Sequence, residues 1–156
     1  MQSLLDATQP KGRRYYWKSE YLSGIEPELC TGMIQHAANF PSPHSALIFF
    51  QIGGALNNLA QDYSPAGNRD AHYVLNVTGA WDKTEEDKPN IEWVRKTWED
   101  LKKFSTGGTY INFLTEDEGS ERTKIALGKA LERLAEVKKK WDPDNMFCTN
   151  RNITPA

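Results

Sequence analysis

Cysteine is scarce: Cys30 and Cys148 are the only two in 156 residues, and neither belongs to a CxxC pair. Met1 is followed by no charged and then apolar leader, so the thiols read as free and no disulfide framework organises the fold. Nor is there a run of about 18 apolar residues, the length a membrane helix needs. Together these absences predict a soluble, cytoplasmic protein. The glycosylation sequons at Asn76 and Asn152 carry little weight in that setting. Charge of one sign is also lacking, with 19 Lys and Arg against 21 Asp and Glu. That balance excludes the basic footprint of a nucleic-acid binder and the polybasic stripe of a membrane-surface protein.

Hydrolytic, metal and nucleotide motifs are missing as well. His36, His44 and His72 have no second ligand at metal-binding spacing. There is no G-x-S-x-G. The glycine pairs Gly53-Gly54 and Gly107-Gly108 fit neither G-x-G-x-x-G nor the P-loop pattern, so the chain carries no phosphate cradle of its own. The acidic run Glu116, Asp117, Glu118 reads as a solvated turn ahead of a helix, helped by the positive helix N-terminus.

What is present is a chain of one-domain length, 38% hydrophobic and 26% charged. Such a chain buries roughly 68–70% of its unfolded surface and needs no metal to fold. Residues 1–12 form a lead-in rich in turn residues, and 13–156 a single domain. Arg13–Leu22 is aromatic-rich and bounded by glycine, which predicts a strand. Pro27 suits a first helical turn, and Leu29, Met33 and Ile34 recur at helical spacing over about Glu26–Asn39. Ala46–Ile52 reads as a buried strand that ends at Gly53-Gly54. A loop over Gln61–Asp70 leads to a strand over His72–Trp81. Lys83–Asn90 reads as a charged turn. Ile91, Val94, Trp98 and Leu101 then mark a helix closed by Gly107-Gly108. Thr109–Leu114 alternates strictly, as a strand would. Ser120 is the expected N-cap of a last helix whose buried stripe is Leu127, Leu131, Leu134, Val137 and Trp141. The order predicts an α+β fold, an antiparallel sheet with helices on one face: ferredoxin-like β-α-β-β-α-β, then a C-terminal helix and tail.

Five Trp, six Tyr and six Phe fall largely in the strands. They fit a well-filled core, or a sheet face that stacks on a flat ligand. On a strand, Tyr110 and Asn112 share one face while Thr109, Ile111 and Phe113 take the other. A phenol beside a carboxamide suits a polar planar ring, and a half-exposed strand accounts for the pair equally well.

Several motifs in order are similar to the C-terminal signature of berberine-bridge-type FAD-linked oxidases. They are Tyr110/Asn112/Phe113, Arg133/Leu134/Lys138, Asp142/Pro143/Asn145/Phe147 and Asn150/Asn152/Ile153. Gly53-Gly54, Arg69, Trp81 and the opening RRYYWKSEYL extend the match over nearly all the chain from Gly12. The resemblance implies two-electron oxidation of an alcohol, sugar or amine by FAD, with the sheet covering the isoalloxazine. Tyr110 would be the catalytic residue nearest the reacting carbon, although a phenol with a reference pKa near ~10 needs help to act as a base. Asn112, Asn150 and Asn152 would lie against the cofactor, and Asn58, Tyr73 and Trp81 on the substrate side. Asn58 stands where some relatives carry a glutamate base, and it cannot take a proton. Asn68 stands where several have His. The flavin-binding domain of such oxidases has no counterpart here, so FAD would have to come with a partner domain or subunit. Two alternatives stay open: a free-standing small-molecule binding module, able to form a homodimer over its aromatic face, and a truncated product without a function of its own.

Overall fold

The computed structural model describes residues 9–61, 63–65, 67–149 and 151–156. Three strands, β1 (Arg14–Leu22), β2 (Ala46–Gln51) and β3 (Tyr73–Trp81), form one antiparallel sheet in the order β1-β3-β2. The register runs from Arg14↔Trp81 to Leu22↔Tyr73 on one side of β3, and from Ala46↔Thr78 to Gln51↔Tyr73 on the other. Because side chains alternate across a strand, Tyr16, Lys18, Glu20, Leu22, Leu75, Val77 and Gly79 share one face. Tyr15, Trp17, Ser19, Tyr21, Val74, Asn76 and Thr78 share the other.

Helices α1 (Pro27–Ala37) and α2 (Asp87–Leu101) cover the first face. Pro27 opens α1 after the extended Glu26, where its missing N–H costs nothing. A 3-10 turn over Thr84–Glu86 leads into α2, which therefore starts four residues before the expected Ile91, with Pro89 tolerated in its first turn. Leu22, Leu29, Leu75, Val77, Val94 and Leu101 form the main core, with Tyr16, Met33, Leu47, Phe49 and Tyr73 packed round it. Packing of α2 on β3 is close enough that a Cβ on Gly79 would lie 2.9 Å from Val94 Cγ2 and 3.4 Å from the Tyr16 carbonyl oxygen.

Two expectations are corrected. Thr109–Leu114 is not a strand: Tyr110 is extended, and Ile111–Phe113 forms a 3-10 turn. The reason lies on the outer edge of β1. Backbone pairing holds at Tyr21, whose N–H donates to the Gly108 carbonyl (3.1 Å) and whose carbonyl accepts from Thr106 N (2.9 Å). At Ser19 the carbonyl is already taken by the Thr109 hydroxyl and the Arg122 guanidinium, each at 3.1 Å. With that acceptor occupied, the ladder stops, and the described residues hold three strands rather than four.

The last helix is two helices, α3 (Gly119–Leu127) and α4 (Ala130–Trp141), divided at Gly128 with φ 50°. Thr115, not Ser120, opens this region, through a capping box in which its backbone N–H donates to Glu118 Oε2 at 2.9 Å. The anticipated stripe is buried only where it begins. Leu127 is covered, Leu131 and Leu134 are half-buried, and Val137 and Trp141 are exposed. Among the described residues no helix is long and apolar enough to cross a membrane.

Leu22 is fully buried where β1, α1 and α2 meet. Leu22→Ala is expected to remove about 2–5 kcal/mol of stability. Urea unfolding should show a lower midpoint with an unchanged slope.

Candidate functional site

Tyr110 reaches the sheet face that α1 and α2 leave alone. It packs with Phe113 and Ile52 against Tyr21, Ala71 and Val74. Its ring stands edge-on to Phe113, with centroids 5.1 Å apart and planes at 89°, and Phe113 in turn meets Phe50 at 5.5 Å. Asn112 Nδ2 donates to Tyr110 Oη at 2.8 Å, so the phenol and carboxamide are joined directly. The 3-10 turn also rotates Phe113 to the Tyr110 side, which strict strand alternation would forbid. Since Asn112 supplies a hydrogen to Oη, the phenol's own O–H can donate elsewhere, and no described residue accepts it.

Tyr21 is a second phenol in this cluster. Burial pushes its pKa up, and the neighbouring Tyr110 pushes it the same way. At the centre of the same face lie Asn76 and Thr78, both buried. The Thr78 hydroxyl donates to Asn76 Oδ1, which fixes the carboxamide and reserves its Nδ2 hydrogens for other acceptors. Opposite them on β1 stand Ser19 and Trp17. The Trp17 indole donates to the Phe113 carbonyl at 3.0 Å, tying the turn to the sheet. Sequence reasoning overlooked Asn76, Thr78 and Tyr21. The available signal was the period of two in YVLNVTGAW, which puts Val74, Asn76 and Thr78 on one side.

The segment carrying Tyr110 is fixed by charge. Lys18 and Glu20 lie on the helix-covered face of β1 and are each only 4% exposed. Lys18 Nζ donates to Thr115 Oγ1 (3.0 Å) and Asp117 Oδ1 (3.1 Å), with Glu118 at 3.6 Å. Glu20 accepts from the Trp98 indole (2.7 Å), the Ser105 hydroxyl (2.6 Å) and Arg122 (2.8 Å). Asp117 further accepts from Tyr16 (2.6 Å) and Arg95 (2.9 Å). The acidic run is therefore more than a solvated turn: Glu116 and Asp117 are exposed, but Asp117 and Glu118 are the partners of cations on β1, α2 and α3. Burial raises the Asp117 pKa, but hydrogen bonds from Thr115, Tyr16, Lys18 and Arg95 outweigh it and hold the group far below the ordinary carboxylate range.

The other candidates do not gather round Tyr110. Tyr73 belongs to the helix-side core, edge-on to Phe49, and Trp81 is buried on that same face with its indole donating to Asp87 at 2.6 Å. Asn58 is exposed in the β2–β3 connection. Its neighbour Asn57 organises that connection, donating to the carbonyls of Arg69 (2.7 Å) and Ala71 (2.9 Å). Arg69 is buried there, bonded to the Leu56 carbonyl and the Ser64 hydroxyl. Asn152 lines a separate cleft of about 530 Å³ between α3, α4 and the tail, with Ser120, Lys124 and Arg151. Arg151 pins the tail by donating to the carbonyls of Leu114 and Thr115. Asn150 lies outside the described residues. At the end of α4, Asp142 accepts from Lys138 and from the N–H groups of Met146 and Phe147. The lysine, against the effect of burial, and the two backbone donors keep its pKa low. That turn presents Trp141, Met146 and Phe147 at 76%, 78% and 80% exposure. Among the described residues no three metal-ligating side chains come together.

Residues 109–154 match the family model described as berberine and berberine like. The likeness is to part of a berberine-bridge-type FAD-linked oxidase. An FAD-linked oxidoreductase of Dictyostelium discoideum is 23% identical over 99% of this chain and 34% of that protein. Berberine bridge enzyme-like 18 of Arabidopsis thaliana is 27% identical over 88% of this chain and 29% of its own length. The fold is that of the solved BBE-like #28 from Arabidopsis thaliana, with a TM-score of 0.85 over 100% of this chain and 36% of that one, at 19% identity. The chain thus spans about a third of the length of the relatives it matches.

The charge network anchors the berberine-like segment to β1, and Asp117 gives that anchor an acid response. The folded pKa of Asp117 lies below its unfolded value, so its contribution is complete above the ordinary carboxylate pKa near ~4 and is lost as pH falls toward the folded value. Asp117→Asn is expected to be less stable than wild type at pH 7. That difference should narrow below about pH 4, measured by urea midpoints across pH. A gap that stays constant with pH would rule the network out as the source.

Proposed function

We propose that this chain is the substrate-side portion of an FAD-dependent oxidase and works together with a flavin-binding domain on another segment or subunit. The observation that carries the reading is the Tyr110–Asn112 pair, joined at 2.8 Å on a sheet face lined by aromatic rings, at the head of the berberine-like segment. The relatives support FAD as the family's cofactor.

The residues present fit one part of FAD and not the rest. Tyr110, Phe113, Phe50 and Trp17 offer flat apolar surface, and Asn112, exposed, offers a carboxamide at its edge. These suit a planar ring. The pyrophosphate finds no matching cradle among the described residues. Gly53-Gly54 opens only a three-residue 3-10 turn, and Gly108 is clasped against β1. Tight binding of the whole cofactor therefore requires a second domain.

When bound, FAD supplies the two-electron acceptor. The substrate, an alcohol, sugar or amine, would give up a carbon-bound hydrogen with its electron pair to that acceptor, and Tyr110 Oη would take the O–H or N–H proton as the phenol's own proton passes to solvent. Asn112 holds that oxygen in place. Asn76 offers an N–H to a polar atom of the substrate, while Trp17, Phe50 and Phe113 limit water around it. The exposed Trp141, Met146 and Phe147, beside half-buried Leu134, fit the surface that the flavin-binding domain would cover.

Gel filtration of the chain with excess FAD is expected to give colourless protein. Addition of the flavin-binding domain of a berberine-bridge-type oxidase should bring a flavin band into the protein peak. Tyr110→Phe should then slow substrate-dependent flavin bleaching by about 10²–10⁴-fold. A yellow homodimer from the chain and FAD alone would overturn the need for a second domain. Refusal of every flavin domain, with thermal stabilisation by small ligands, would favour a free-standing binding module.

A further inference from the structure

The β2–β3 connection and the residues just before Tyr110 meet at one close contact. Asn68 has φ 58°, in the left-handed region that asparagine tolerates better than most side chains. This conformation turns its carboxamide onto Gly108. A Cβ built on Gly108 would lie 2.0 Å from Asn68 Oδ1, 2.6 Å from Cγ and 2.9 Å from Nδ2. No residue with a side chain fits at 108 while Asn68 stays where it is. The other side of the same backbone is held as firmly. The Gly108 carbonyl accepts from Tyr21 N at 3.1 Å. The next residue, Thr109, is buried and bonded to the hydroxyl and carbonyl of Ser19 at 3.0 and 3.1 Å. Tyr110 follows immediately.

We propose that Asn68 is a positioning residue for Tyr110, acting through its contact with Gly108. The segment Thr106–Thr109 is clasped between β1 on one side and the Asn68 carboxamide on the other, which fixes where the Tyr110 backbone emerges. Asn68 acts on the opposite wall of the tyrosine's pocket too. Its carbonyl accepts from Ala71 N at 3.2 Å, and Ala71 is one of the buried residues against which Tyr110 packs. One residue therefore touches both the approach of Tyr110, through its carboxamide, and the surface Tyr110 rests on, through its backbone carbonyl. The β2–β3 connection is thereby coupled to the phenol, so a ligand or domain that displaces residues 53–72 is felt at Tyr110 Oη.

The functional meaning rests on the proposed role of Tyr110, whereas the positioning claim does not, and the two are tested separately. With ring-labelled tyrosine and labelled asparagine, the NMR signals of Tyr110 and of the Asn112 side-chain amide report the placement directly. Asn68→Ala and Gly108→Ala are both expected to shift these signals, while those of Tyr15, which bonds to Pro10, stay put. Asn68→Asp, which keeps the shape and tolerates the same backbone conformation, should return them toward wild type. A folded Asn68→Ala variant with unmoved Tyr110 and Asn112 signals overturns the proposal, and this holds even if Gly108→Ala fails to fold. In the flavin-complemented protein, Asn68→Ala should lower kcat by up to about 10²-fold with little change in KM. Shifted signals with undiminished turnover would leave the positioning claim standing and remove Tyr110 from the chemistry.

Discussion

Lys18 and Glu20 point into the face of the sheet that two helices cover, where an unpaired charge is costly. All the charged partners that make them tolerable lie in one distant stretch, Asp117, Glu118 and Arg122, with the neutral donors Trp98 and Ser105 completing the shell of Glu20. Breaking a buried pair by removing one member typically costs about 3–5 kcal/mol, so the stretch cannot leave β1 without exposing the sheet's weakest point. Once it is docked, Arg122 and Thr109 occupy the Ser19 carbonyl, the fourth strand is prevented, and the chain turns at Ile111–Phe113. That turn is what brings Tyr110, Asn112 and Phe113 to the opposite face. Chemistry on one side of the sheet thus depends on electrostatics at the other.

The same dependence explains which parts of the molecule could be read in the sequence. Strands β1, β2 and β3 and helices α1 and α2 are local matters of period and punctuation, and Arg14–Leu22, Ala46–Gln51 and Tyr73–Trp81 fall within a residue of their expected bounds at each end. TYINFL has an equally good period of two and is no strand, because the edge it would join is filled by side chains from Thr109 and Arg122. No local rule contains that information. The run Glu116-Asp117-Glu118 looks solvated for the same reason, since Lys18 stands 99 residues from Asp117.

The candidate site was legible in a narrower way. Tyr110 and Asn112 share a side because they are two residues apart, and the hydrogen bond between them keeps them together although the backbone is not a strand. Tyr73 and Trp81 are close along the chain to Asn76 and Thr78, yet their odd-numbered positions on β3 turn them into the helix-side core. A shift of one residue reverses a side chain's face. Resemblance between sequences marks the strand, but only the register says which of its residues face the Tyr110 side.

The two faces also differ in what they leave unfinished. On the Tyr110 side the polar groups are already oriented: a phenol held by its asparagine, and a buried Asn76 amide whose oxygen is engaged by Thr78. Groups held in this way are suited to a small molecule with acceptors, since their own reorganisation on binding is slight. Along α4 and its tail large apolar groups stand exposed among charged ones: Val137 on the helix, and Trp141, Met146 and Phe147 round the turn that Asp142 braces. Such a surface gains most from a broad, water-excluding protein contact. The two surfaces therefore differ in chemistry: one is suited to a small polar molecule, the other to a protein.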